Sequence, residues 1–164
     1  MYYTVEQVLE DVYRIKGERM EPINGTALVC AWCESKGVMG GGGDLTQAEK
    51  HAHAEMVISK IERVLNRYEL AVVKCKYSED LSGIVDITAY IEQQNEGVNL
   101  LICDALVSNI LKEVPKQVEI QDRFDIARVT LWRKKKQVGG IVAGLLDSAI
   151  CKLEPEFRQA GIIG

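Results

Sequence analysis

Apolar positions recur along the chain at helical intervals nearly throughout. Val5, Val8, Leu9, Val12 and Ile15 share one face behind Thr4, and Gln7 completes a capping box, so a first helix is predicted at about 5–16 with Gly17 as its stop. Lys16 to Ile23, with Pro22, reads as a connector. A second helix is predicted from Gly25 to Lys36, ended by Gly37. A third is predicted at about 47–66, where Thr46 and Glu49 form another capping box and Ala54, Val57, Ile58, Ile61, Val64, Leu65 and Tyr68 make the apolar stripe.

Leu70 to Tyr77 contains the β-branched pair Val72-Val73. It has no evident partner strand, so it too reads as helix. Leu81, Ile84, Val85, Thr88 and Ile91 predict a helix ending near Asn95-Glu96-Gly97. Leu101, Ile102, Ala105, Leu106 and Ile110 predict another, ending before Pro115. Ile141, Val142, Leu145, Leu146, Ile150 and Leu153 predict a tail helix from Gly139 that stops before Pro155. No run alternates long enough for a strand. The fold expected is all-α, a helical bundle of about seven to nine helices with a C-terminal helix-turn-helix. Its organisation would be a body over 1–113 and a helix-turn-helix region with a packing helix over 114–164, joined as one compact unit.

Between the second and third helices, Gly37 to Asp44 includes four consecutive glycines and reads as a flexible joint. A phosphate-cradling loop is the sharper alternative, but the Lys-Ser/Thr that should follow is missing.

Lys116 to Val138 carries the informative chemistry. It reads as helix, short turn, helix, with Ile120, Phe124, Ile126 and Leu131 spaced to lock two short helices at a steep angle. Three positions depart from the pattern: Gln121 replaces a small Ala, Asp125 replaces the turn Gly, and Lys134 replaces a third apolar anchor. Asp tolerates the left-handed conformation that such a turn needs.

Charge sharpens the picture. The 164 residues carry 20 basic and 24 acidic side chains, net −4, which excludes a generally basic coat. Residues 116–136 alone hold seven basic and three acidic side chains, net +4, leaving −8 elsewhere. An acidic protein with one basic helix has a directed electrostatic footprint. Lys116, Arg128, Thr130, Arg133, Lys134, Lys135 and Lys136 are the candidate DNA-binding residues. Arg suits bidentate contact to guanine, whereas Lys and Thr suit phosphates. Trp132 is expected to cover the seam with the C-terminal helix, with contact to the sugar-phosphate backbone as the alternative. The bland alternative is a lysine run that forms only a solvated helix face.

Other chemistry is sparse. Cys30 and Cys33, with His51 and His53, offer four potential zinc ligands. Two histidines two apart on a helix diverge by roughly 200°, so both serve one metal poorly. No metal or cofactor is expected, and Cys30, Cys33, Cys75, Cys103 and Cys151 read as small buried hydrophobes in a reducing compartment. A nucleophile elbow, a Walker loop and H-E-x-x-H are all missing, so no enzymatic activity is expected. Asp80, Asp86 and Glu92 read as surface charges. No run approaches a membrane span. The start, Met1 to Glu6, lacks the basic flank and apolar core of a secretory leader, so a cytoplasmic location is expected.

The Trp32-to-Gly37 segment, the long helix from Thr46, Arg67-Tyr68-Glu69-Leu70 and the basic helix-turn-helix together resemble a known family. It is that of the late-gene antitermination proteins of lambdoid bacteriophages, the Q proteins, most closely the phage-21 type. The resemblance implies binding to double-stranded DNA at a phage late promoter. It further implies loading onto paused host RNA polymerase with its sigma factor, and suppression of termination near the RNA exit channel, where nascent RNA is a third partner. The location implied is the host bacterial cytoplasm. The lambda type carries a zinc finger, and this chain's Cys/His pattern departs from a compact finger. Three other readings stay open. They are a helix-turn-helix repressor or activator, a small terminase subunit, which would call for a heptad that is missing here, and a zinc-dependent nuclease or modifying enzyme.

Overall fold

The computed structural model describes residues 2–18, 46–94 and 99–164. The expected helix at 25–36, Gly37, the glycine run of 37–44, Cys30, Cys33, Trp32 and the stop at 95–97 lie outside the described residues. Among the described residues the chain is helical and has no strand.

Helix α1 spans Val5–Gly17 and α2 spans Gln47–Val64. Both begin with the expected capping boxes, Thr4 with Gln7 and Thr46 with Glu49. Helix α2 ends before Asn66 instead of including it. The Asn66 side chain accepts from the N–H groups of Tyr68 and Glu69, and Glu69 accepts from the Asn66 N–H. This third capping box starts a new helix, α3, at Arg67–Tyr77. Tyr68 therefore belongs to α3, not to the stripe of α2. The β-branched pair Val72-Val73 is fully buried within α3, where packing outweighs its modest helix preference.

Helix α4 spans Ile84–Gln94 and α5 spans Leu100–Lys112. Their buried faces are narrower than the spacing predicts, because Leu81, Val85 and Leu101 are exposed. Helix α5 ends where Glu113 takes the left-handed conformation, φ 60°. Helix α6 covers Gln117–Phe124, and α7 covers Arg128–Gln159.

Helix α7 corrects the expected layout. The second helix of the 116–138 segment and the tail helix are one element of 32 residues, about 48 Å long. It runs through Gly139 and Gly140 because Val138, Val142 and Leu145 are buried on one continuous face. It also runs past Pro155. The proline removes one helical N–H, but Leu153 and Phe157, both fully buried, hold the turns on either side.

The core forms two clusters, and α3 and α7 contribute to both. One joins α1 and α2 to the second half of α7 through Val8, Leu9, Ile58, Ile61, Leu153 and Phe157. The other joins α3, α4, α5 and α6 to the first half of α7 through Val72, Ile87, Ile91, Leu106, Ile120 and Leu131. Where α3 crosses α7, Glu69 is buried and accepts from Ser148 Oγ at 2.6 Å and from Lys152 Nζ at 2.7 and 2.9 Å. The C-terminus returns to the start of α1. Gly161, at φ 65°, turns the chain so that Ile163 is buried and the Gly164 N–H donates to the Tyr2 carbonyl.

Candidate nucleic-acid interface

The segment from Lys116 to Val138 is a short helix, a turn and the start of a long helix. Helix α6 is seated by Ile120, which is buried, and by Phe124, which is half-buried. Asp125 ends it in the left-handed conformation, φ 48° and ψ 50°, as the turn requires. Ile126 tucks into the core from the turn, and Leu131 is fully buried one turn into α7. All four expected apolar anchors therefore pack into one cluster.

Leu131, Val138, Val142 and Leu145 define the buried side of α7. At 100° per residue, Val129 and Arg133 each lie roughly 200° from Leu131 in opposite senses, and Lys136 falls beside them. These three share the outward face, with exposed Trp132 and Thr130 on its flanks and exposed Arg128 at its start. Arg128, Arg133 and Lys136 form no ion pair among the described residues. Of the candidate residues, Arg133 and Lys136 thus share this face, Thr130 flanks it, and Arg128 is exposed because it opens the helix. Lys116, exposed at the N-cap of α6, stands apart on its own element.

Lys134 and Lys135 are not on that face. They flank the buried side and are half-buried. The Lys135 ammonium donates to Asn109 Oδ1 at 2.7 Å, and Asn109 Nδ2 donates to the Pro115 carbonyl at 2.7 Å. The charge of Lys134 acts on the Cys103 thiol and lowers its pKa somewhat. Burial is the larger effect and leaves that thiol above its usual value.

The sequence pattern does not single out Val129, and the structure overturns the packing expected of Trp132. Val129 is 61% exposed and Trp132 is 59% exposed, so Trp132 does not pack on the C-terminal helix. Instead the Lys136 ammonium lies 5.5 Å from the centre of its ring. Val129 lies nearly opposite Leu131 around the helix, and that spacing was the available signal for it.

The chain matches no family model, and no curated protein matches it in sequence.

Metal chemistry has little to work with among the described residues. No group of three or more histidine, cysteine or acidic side chains is gathered there. His51 is half-buried and His53 exposed, both on α2, while Cys30 and Cys33 lie outside the described residues. Cys75 and Cys103 are buried, as expected, but Cys151 is exposed on α7. No helix of the described residues is long and apolar enough to cross a membrane.

Proposed function

We propose that this protein is a transcription antitermination factor that holds duplex DNA with a helix-turn-helix made of α6, the turn at 125–127 and the first half of α7. One observation carries the DNA-binding part: an outward face holding Arg133 and Lys136, with exposed Arg128 at the start of the same helix, none of them in an ion pair among the described residues, on a chain whose other residues are net acidic. Such a surface attracts phosphates and releases their counterions, while the N-terminal turns of α7 address base edges in the major groove. The packing of Ile120, Phe124, Ile126 and Leu131 supports the same reading, since it braces α6 against the start of α7.

The step from DNA binding to antitermination rests on the resemblance to the phage-21 type of Q protein. On this reading the DNA contact recruits the protein to a late promoter. Acidic helices of the body then engage the paused polymerase and its sigma factor, and hairpin formation at the RNA exit is suppressed. The protein acts by binding, and no group in it needs to do covalent chemistry.

The test is terminator read-through by purified RNA polymerase holoenzyme on the late promoter of the genome that carries this gene. A template with scrambled promoter-proximal sequence is the control. Read-through that requires both the protein and the intact promoter is expected. Tight binding to the same DNA without read-through would replace the proposal with a repressor, an activator or a small terminase subunit. Neither activity would reduce the basic face to a solvated helix surface.

A further inference from the structure

We propose that Val129 is a specificity-determining residue that recognises thymine through its C5-methyl group. The proposal rests on the DNA-binding reading of α6 and α7. Val129 is the second residue of α7, in the turn that addresses base edges when such a helix enters the major groove. It is 61% exposed and belongs to neither core cluster. It shares its face with Arg133 and Lys136, and Arg128 and Thr130 adjoin it in the chain, so an apolar side chain is set within cationic and polar ones.

The chemistry narrows what such a residue can read. A valine neither donates nor accepts a hydrogen bond. Of the groups on the floor of the major groove, the thymine methyl is the apolar one, whereas guanine, adenine and cytosine present acceptors and amino groups. Val129 is β-branched and nearly fixed in one rotamer on a helix, so its methyls form a rigid contact rather than an adaptable one. The surrounding cations favour a polyanionic occupant over an apolar protein surface.

The experiment uses the full chain and a random-sequence duplex DNA library. After selection, each thymine of the enriched duplex is replaced in turn by deoxyuridine, which lacks only the methyl group. At one thymine the replacement should weaken binding by about three- to tenfold. Val129→Ala should bind the thymine duplex as weakly as the parent binds the uracil duplex, and should be indifferent to the replacement. Val129→Ile should keep the sensitivity, as should Arg133→Ala. A selected sequence at which no single uracil matters would overturn the proposal and leave DNA binding standing. An equal uracil effect in the parent and in Val129→Ala would overturn it as well. Failure to select any duplex, at low salt, would overturn both this proposal and the DNA-binding reading.

Discussion

Lys135 Nζ lies 2.7 Å from Asn109 Oδ1, so a lysine in the middle of a basic run is a structural tie between α7 and α5. Asn109 is buried and also donates to the Pro115 carbonyl, where the chain enters α6. One amide thereby sets the position of α6 and the first half of α7 relative to α5. Asn109→Ala would leave both partners without their bonds, and Lys135→Ala would strand a buried amide oxygen. Each variant should lose about 1–2 kcal/mol of stability in urea unfolding, and the double variant should lose less than their sum.

Lys136 and Arg133 should behave differently from Lys135 in DNA binding. Lys136→Ala should reduce the slope of log Kobs against log salt by about 0.9, the loss of one phosphate contact, across all sequences. Arg133→Ala should cost about 1–3 kcal/mol on the preferred site and relax selectivity at one base pair. Lys135→Ala should leave the slope unchanged. Salt titrations of the three variants separate these outcomes.

The Glu69 tie is pH-dependent. Burial pushes its carboxyl up, but hydrogen bonds from Lys152, Ser148 and the Asn66 N–H, together with the Lys152 charge, outweigh this and hold it below the usual value of 4.5. A group with a depressed folded-state pKa stabilises fully above its ordinary pKa and loses that contribution as the pH falls toward the folded value. Glu69→Gln should cost about 1–3 kcal/mol near neutrality, a range kept low because Lys152 is half-exposed. The gap from the parent in thermal melts should narrow between about pH 5 and pH 3.

Two glycines should respond in opposite directions. A Cβ at Gly83 would stand 3.0 Å from the Ala71 Cβ, the Ala71 carbonyl oxygen and the Cys75 Sγ, where α4 begins against α3. Gly83→Ala should cost about 1–3 kcal/mol. A Cβ at Gly144, within α7, meets nothing within 4 Å, and Gly144→Ala should gain about 0.5–1 kcal/mol from helix propensity. Denaturant midpoints of the two variants check both signs.

Much of the fold was legible where a local pattern and a local cap agree. Thr4 with Gln7 and Thr46 with Glu49 marked helix starts because a capping box involves residues three apart. The same signal was present at Asn66 and Glu69 but was masked by the apolar stripe running past it. The four anchors of the 116–138 segment were legible because a tight turn leaves few residues able to point inward.

The individual roles of the basic residues were not legible in this way. Arg133, Lys134, Lys135 and Lys136 are consecutive in the chain and similar in chemistry, yet they diverge around the helix. Arg133 and Lys136 face outward, while Lys134 and Lys135 border the core. Composition and periodicity alone determined an all-helical chain with one basic segment in an acidic whole, because both are sums over neighbours in sequence. Only the tertiary structure decided that α7 continues through Gly139 and Pro155, that Lys135 ties Asn109, and that Trp132 stays outside the core. Each of these depends on which distant side chains bury one face of α7, and burial by distant parts of the chain outweighs the local preference of a glycine, a proline or an aromatic ring.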